Sequence, residues 1–414
     1  MSNNSISTYK FKPFEFTVLK ENLEPPQRSL VRPVRRVVGN DAIFLFSEFK
    51  DRTNDAPGQR MSSPMHQIWK YSLDLGEWKV INCKNFPQEL VTSCNRATLS
   101  GNIIIMYRSI GVTSGGIWSN RMYLGNLANE YKGNGMIFVN IKECGDFLLP
   151  VYILGVVMDG QYIYSIGNTY GNKNEMDVHR FDLSTKKWEL LYKSVRERIV
   201  LEPRYQHEVV FYKSKIYIFA GKGGGNHPAV ALNIFYDFSK IHMFDVDTKQ
   251  WQLLSAKPDH RVPEPGYPID RCFLACVQCP EKANLVYICG GLDYYLPLKD
   301  FWRIDFDTLQ WEKLTQWIMP RPVYLHSTAI SPSGRMYCYG GIVSENYIDY
   351  RNRSRSTNTL SSGWIKIPKL KDICWEAMIY YFKEQMFKST DECLKKIGIP
   401  QEYYERIIEA RRIC

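Results

Sequence analysis

The sequence predicts an all-β protein, a β-propeller of six blades, followed by a small C-terminal α-helical module. Three observations predict it. A fourteen-residue segment built around a tryptophan recurs four times. Short apolar runs, several ending in glycine pairs, recur ahead of these segments. Beyond residue 368 the apolar spacing changes from that of strands to that of helices.

The four segments align without gaps: IWKYSLDLGEWKVI from Ile68, VHRFDLSTKKWELL from Val178, IHMFDVDTKQWQLL from Ile241 and FWRIDFDTLQWEKL from Phe301. Each has an apolar start, an aromatic or apolar residue three later, a polar turn, and a tryptophan ten after the start. Trp188, Trp251 and Trp311 stand 63 and 60 residues apart, whereas Trp78 precedes Trp188 by 110, room for a degenerate copy at residues 121–139. Each segment reads as two strands around a turn.

Upstream lies a third strand, at residues 43–46, 103–107, 162–166, 216–219, 286–289 and 336–339. A fourth fits between the tryptophan strand and the next such run, as at 207–211 or 273–278. Four antiparallel strands per unit of about 50 residues are the pattern of a propeller blade. Ala220-Gly221, Gly290-Gly291 and Gly340-Gly341 end inner strands where the chain is crowded, and the tryptophan is large enough to fill the gap between blades. Blade six has no outer strand after GWIKIP. Residues 14–20 alternate like a strand and are expected to close the ring there. The early blades depart from the pattern: the glycine pair is replaced by Ser47-Glu48, Arg108-Ser109 and Ile166-Gly167.

The expected organisation is a disordered tail at 1–10, a propeller at 11–367 and a helical module at 368–414. In the first helix Leu370, Ile373, Cys374, Ala377, Met378 and Tyr381 form one apolar stripe, and Trp375, Ile379, Phe382 and Met386 a second beside it. One stripe suffices for docking within the chain, so the second implies burial by another protein, with the Trp375 stripe facing the module itself. Ser389 with Glu392 fits a capping box, Gly398 a stop, and Pro400 the first turn of a last helix reaching about Arg411.

Composition narrows the function classes. Of 414 residues 44% are hydrophobic, ample for a large core, and the net charge of +10 is spread along the chain without a long basic run. Nucleic acid is therefore not expected as a partner, while an anionic peptide remains compatible. No apolar stretch approaches the ~20 residues of a membrane span, and MSNNSISTYKF lacks the apolar core of a signal peptide. The 11 cysteines are scattered as buried thiols would be, which points to the cytoplasm or nucleus.

The strand-Gly-Gly and spaced-tryptophan pattern resembles the kelch repeat. The tail resembles the two-box module of substrate receptors for cullin-2 ubiquitin ligases: Leu370, Cys374 and Met378 match the elongin-binding box, and Ile399, Pro400, Tyr403 and Ile407 the cullin-2 box. Lys369 stands where that family has a small residue or proline, with Pro368 one position earlier. Together these features resemble the kelch-domain-containing receptors, more closely over residues 200–345 than over 25–200. The resemblance implies a non-catalytic adaptor subunit that joins elongin B/C and cullin-2 to a protein substrate peptide, several relatives holding C-terminal ends.

A pocket for a chain terminus must neutralise a carboxylate, which arginine does through bidentate hydrogen bonds. Arg204 and Arg271 each begin a strand leading into a blade, with Arg28 at the matching place in blade one; Tyr205, His207, Tyr324 and His326 are candidate further donors. The competing role for each is a structural one, an arginine bracing loop carbonyls or a histidine in a core hydrogen bond. No cofactor is expected. Cys272, Cys276 and Cys279 fall on opposite strand faces with no fourth ligand, so no metal is expected there. GKGGGN at 221–226 lacks the order of a phosphate loop and reads as a flexible blade loop. Two alternatives stand beside the adaptor reading. One is a kelch scaffold or regulatory binding protein in signalling or the cytoskeleton; the other is a metal oxidase of the kind some kelch propellers are, for which the spacing offers no ligand cluster.

Overall fold

The computed structural model describes residues 9–12, 14–25, 28–30, 35–38, 42–51, 65–73, 76–81, 83–84, 94–100, 102–110, 119–127, 136–141, 155–170, 173–194, 204–223, 234–294, 296–343 and 355–411. Among them are eight small sheets, six of four or five strands and two of three. Among the described strands every pairing is antiparallel except Cys83–Lys84, which runs parallel to Met136–Ile141; a parallel bridge also joins Lys257 to Gln310.

The six larger sheets follow one another along the chain. In the fourth, Glu208–Tyr212, Lys215–Phe219, Lys240–Asp245 and Gln250–Ser255 lie side by side in chain order. The fifth repeats this with Ala275–Gln278, Leu285–Cys289, Asp300–Asp305 and Gln310–Ile318. The degenerate copy at 121–139 supplies the hairpin Ser119–Asn126 and Met136–Ile141, its register running from Met122 opposite Ile141 to Gly125 opposite Phe138. The first strands of sheets four and five start later than expected, at Glu208 and Ala275. Gln206 (φ 58°) and Phe273 (φ 55°) lie in the left-handed region just before them, which interrupts extended backbone.

In the sixth sheet Ser327–Ile330, Arg335–Tyr339 and Leu360–Trp364 come from late in the chain, and Thr17–Lys20 from its beginning. Thr17 lies opposite Ser362 and Val18 opposite Ser361. The edge of Leu360–Trp364 is thereby paired rather than exposed.

Apolar clusters join each sheet to the next. Phe44 and Ile68 meet Ile104 and Met106; Ile105 and Met122 meet Ile163 and Phe181; Tyr164 and Ile166 meet Ile218 and Phe244. Phe219 and Ile241 then meet Ile288 and Trp302, and Cys289 and Phe301 meet Ile330 and Cys338. Tyr339 and Leu360 of the sixth sheet pack on Ile43, Leu45 and Tyr71 of the first, which returns the series to its start. The repeated tryptophans serve these joints. Trp311, fully buried, lies among residues of sheet four and donates its indole N–H to Phe238 O at 2.9 Å. Tyr71–Trp78, Phe181–Trp188 and Phe244–Trp251 are cross-strand pairs with ring centroids 5.1, 5.0 and 5.1 Å apart.

Three helices end the described chain: α1 (Leu370–Lys388), α2 (Asp391–Lys396) and α3 (Gln401–Arg411). Thr390 rather than Ser389 caps α2, accepting from Cys393 N, because Ser389 still closes α1 with its hydroxyl on Gln385 O. Gly398 (φ 75°) ends the turn after α2. Among the described residues no helix is long and apolar enough to cross a membrane.

Candidate functional site

Arg204 and Arg271 occupy equivalent places, each followed within two residues by the left-handed turn that leads into a sheet. Their side chains point inward. Arg271 is fully buried; its Nη1 and Nη2 donate to Asp300 Oδ1 and Oδ2 at 2.6 and 2.9 Å, its Nε to Ile269 O and its Nη1 also to Gly290 O. Burial opposes charge on Asp300, yet Arg271 and the Trp302 indole N–H at 2.7 Å hold its carboxyl below the usual range. Arg204 is buried with its guanidinium carbon 3.6 Å from the Tyr236 ring centroid, donates to Ala220 O, and lies 3.2 Å from His242 Nδ1. Burial and Arg204 hold His242 down to about 4, so its ring is neutral and accepts from the guanidinium. Of the two arginines expected to receive a ligand carboxylate, Arg271 holds one from within the chain, that of Asp300, while Arg204 is buried against Tyr236 and His242.

The other expected donors divide. His207 is buried against Gly155, Tyr324 is buried with its ring 6.0 Å from Phe273, and His326 is nine-tenths buried. The side chains of Arg28 and Tyr205 lie outside the described residues, as do 224–226 of the glycine-rich loop. Asp270, beside Arg271, is the titratable feature of this face: burial first, then the charge of Asp237, push its carboxyl up to about 6.

Cys272 is a buried thiol that burial pushes up to about 12. A different trio converges. Cys289 Sγ lies 3.2 Å from His326 Nε2 and 3.9 Å from Cys338 Sγ, and the three candidate ligand atoms all lie within 4.8 Å of one another. Sequence spacing hid them, since they sit on two different sheets and are brought together only where the sheets pack.

The helical module has its own core. Trp375 stacks on Tyr403 with ring centroids 4.5 Å apart and planes inclined by 12°, and Met386, Leu394 and Ile407 complete it. Trp375, Ile379 and Met386 of the second stripe thus face the module, whereas Phe382 is 53% exposed. Of the expected elongin contacts, Leu370 is 74% exposed and Cys374 exposed, while Met378 is half-buried against the module core. Of the expected cullin contacts, Tyr403 and Ile407 are buried in that core, Ile399 is half-buried and Pro400 exposed. The helix meets the propeller elsewhere. Glu376 pairs with Arg335 of the sixth sheet and accepts from Tyr9 Oη at 2.9 Å, and Tyr9 N donates to Tyr381 Oη, so Tyr9, assigned to the tail on sequence, is docked.

Comparison with known proteins agrees with this architecture. The family model described as Attractin/LZTR1 beta-propeller matches residues 162–369. The Drosophila melanogaster Kelch domain-containing protein 10 homolog is 32% identical over 377 residues, covering 86% of this chain and 59% of the relative's length. Kelch domain-containing protein 10 of Xenopus tropicalis is 28% identical, covering 92% of this chain and 86% of its own, and that of Homo sapiens is 28% identical, covering 94% and 81%. The chain is a kelch-repeat β-propeller protein with three C-terminal helices, and it belongs to the Attractin/LZTR1 β-propeller family.

Proposed function

We propose that this protein is a non-catalytic substrate adaptor of an elongin and cullin-2 ubiquitin ligase. A six-bladed ring binds a target peptide, and the helical module joins the ligase. One observation carries the reading: α1 leaves Leu370 and Cys374 outside, one turn apart on the helix, while the neighbouring Trp375 is buried in the module's core. An aliphatic side chain 74% exposed on a helix that already has a filled core on another face is what a partner groove would cover. Had the propeller covered both residues, a self-contained scaffold would be the better reading.

Within this reading Tyr403 and Ile407 support the cullin side indirectly, by holding α3 against α1, and Pro400 is its exposed member. The target-binding role of the propeller does not rest on Arg271 as a ligand, since its guanidinium is fully buried and holds Asp300. The working compartment would be the cytoplasm or nucleus. The test is affinity purification of the full chain beside its Leu370→Ala/Cys374→Ala variant. Elongin and cullin-2 should accompany the first and be lost from the second at unchanged melting temperature. Equal recovery of elongin with the variant would overturn the reading.

A further inference from the structure

Cys289 ends the inner strand of sheet five, Cys338 lies on the inner strand of sheet six, and His326 immediately precedes the first strand of sheet six, Ser327–Ile330. All three are at least nine-tenths buried. Their setting is built for close approach. A Cβ on Gly290 (φ 57°) would meet His326 Cε1 at 2.7 Å and Val323 O at 2.5 Å, and one on Gly341 (φ 104°) would meet His326 Cβ at 2.9 Å. Both glycine sites thus leave the room that the imidazole occupies.

As bare thiols and imidazole, the trio makes a poor set of hydrogen bonds. A thiol is a weak donor and a weak acceptor. His326 Nδ1 is buried with no hydrogen-bond partner among the described residues, so the ring's burial is offset mainly by contact with sulfur. The separations instead suit a cation. Zn–S bonds of about 2.3 Å and a Zn–N bond of about 2.0–2.1 Å at tetrahedral angles put the two sulfurs about 3.8 Å apart and sulfur and nitrogen about 3.6 Å apart. The sulfurs here are 3.9 Å apart, and Cys289 Sγ and His326 Nε2 3.2 Å.

We propose that Cys289, His326 and Cys338 bind one zinc ion that pins sheet five to sheet six. Two thiolates and an imidazole select a thiophilic cation. Two thiolates neutralise a divalent ion completely, which suits a dry interior, whereas a monovalent cation would leave a net negative charge; the buried guanidinium of Arg271 is already paired with Asp300. Binding forms two Zn–S bonds and one Zn–N bond and releases two thiol protons to solvent. The fourth position has a source of water: Cys338 also lines a cavity of about 30 Å³ with Thr359 and Ser361, large enough for one molecule. This inference is independent of the ligase reading.

The test uses the reduced full chain stripped of metal. Cobalt(II), a spectroscopic stand-in for zinc, should saturate at one equivalent with a thiolate-to-metal absorption band and a tetrahedral d–d band, and zinc should displace it. Cys289→Ser/Cys338→Ser should abolish both bands, whereas Cys374→Ser/Cys393→Ser, which removes two exposed thiols, should keep them. Zinc should also raise the melting temperature of the wild-type chain but not that of His326→Gln. Absence of the bands from the wild-type chain, which requires no variant to fold, would overturn the proposal, as would their survival in the Cys289→Ser/Cys338→Ser variant.

Discussion

Arg271 and Asp300 form a bidentate ion pair, at 2.6 and 2.9 Å, with the guanidinium wholly excluded from solvent. The pair ties the turn before sheet five to that sheet's third strand, and Nη1 reaches the carbonyl of Gly290 as well. Removing one partner leaves the other charge buried. Arg271→Ala should therefore cost about 3–5 kcal/mol of stability. Asp300→Asn should be milder, because an amide still accepts from the guanidinium. Urea unfolding of both variants measures the difference, and a double-mutant cycle isolates the pair.

The stack of Trp375 on Tyr403 predicts a local effect. Trp375→Ala should destabilise the helical module by about 3–5 kcal/mol, since it removes the largest side chain of a small core. Hydrogen exchange should speed up in α3 while the amides of sheets four and five keep their protection.

Leu370 and Cys374 predict the opposite. Both are exposed, so Leu370→Ala/Cys374→Ala should change stability by no more than about 0.5 kcal/mol. Thermal unfolding checks this, and an unchanged transition is what allows loss of elongin to be read as a loss of binding surface.

Asp270 gives stability a pH dependence of known sign. Its folded pKa, about 6, lies above the unfolded value of about 3.9. Its contribution is therefore fully present below about pH 4 and is lost as pH rises through about 6. Asp270→Asn should be more stable than wild type at pH 7.5, by about 1 kcal/mol after allowance for partial solvent screening, and the gap should close toward pH 4. Denaturant midpoints across that range test it.

Two glycines separate backbone strain from crowding. Gly398 (φ 75°) has nothing within 4 Å of where a Cβ would sit, so Gly398→Ala should cost only about 1 kcal/mol of left-handed strain. At Gly341 (φ 104°) a Cβ would fall 2.4 Å from Val323 Cγ2, so Gly341→Ala should cost more, about 3 kcal/mol. Melting temperatures of the two variants rank them.

The repeat was readable because each sheet is a local object. Trp251 faces Phe244 across a short turn, and the spacing that produces the pair is written within one segment. The copy without a tryptophan, at 121–139, was placed by the 110-residue interval between Trp78 and Trp188, and a hairpin lies there. What misled was residue type without direction. Arginine suits a carboxylate, and Arg271 does hold one, but only packing reveals that the carboxylate is Asp300 from 29 residues downstream. The cullin-box residues Tyr403 and Ile407 likewise matched a spacing, and whether such residues face a partner or their own core depends on how α1 lies beside α3.

The chain's order of strands, its turns and the start of its helical module follow from periodicity and from residues with restricted or unusual backbone freedom, all of which act over a few neighbours. The burial of Arg204 and Arg271, the meeting of Cys289, His326 and Cys338, and the exposure of Leu370 beside a buried Trp375 arise where separate sheets and helices come into contact. Those contacts join residues tens of positions apart, and no local pattern records them.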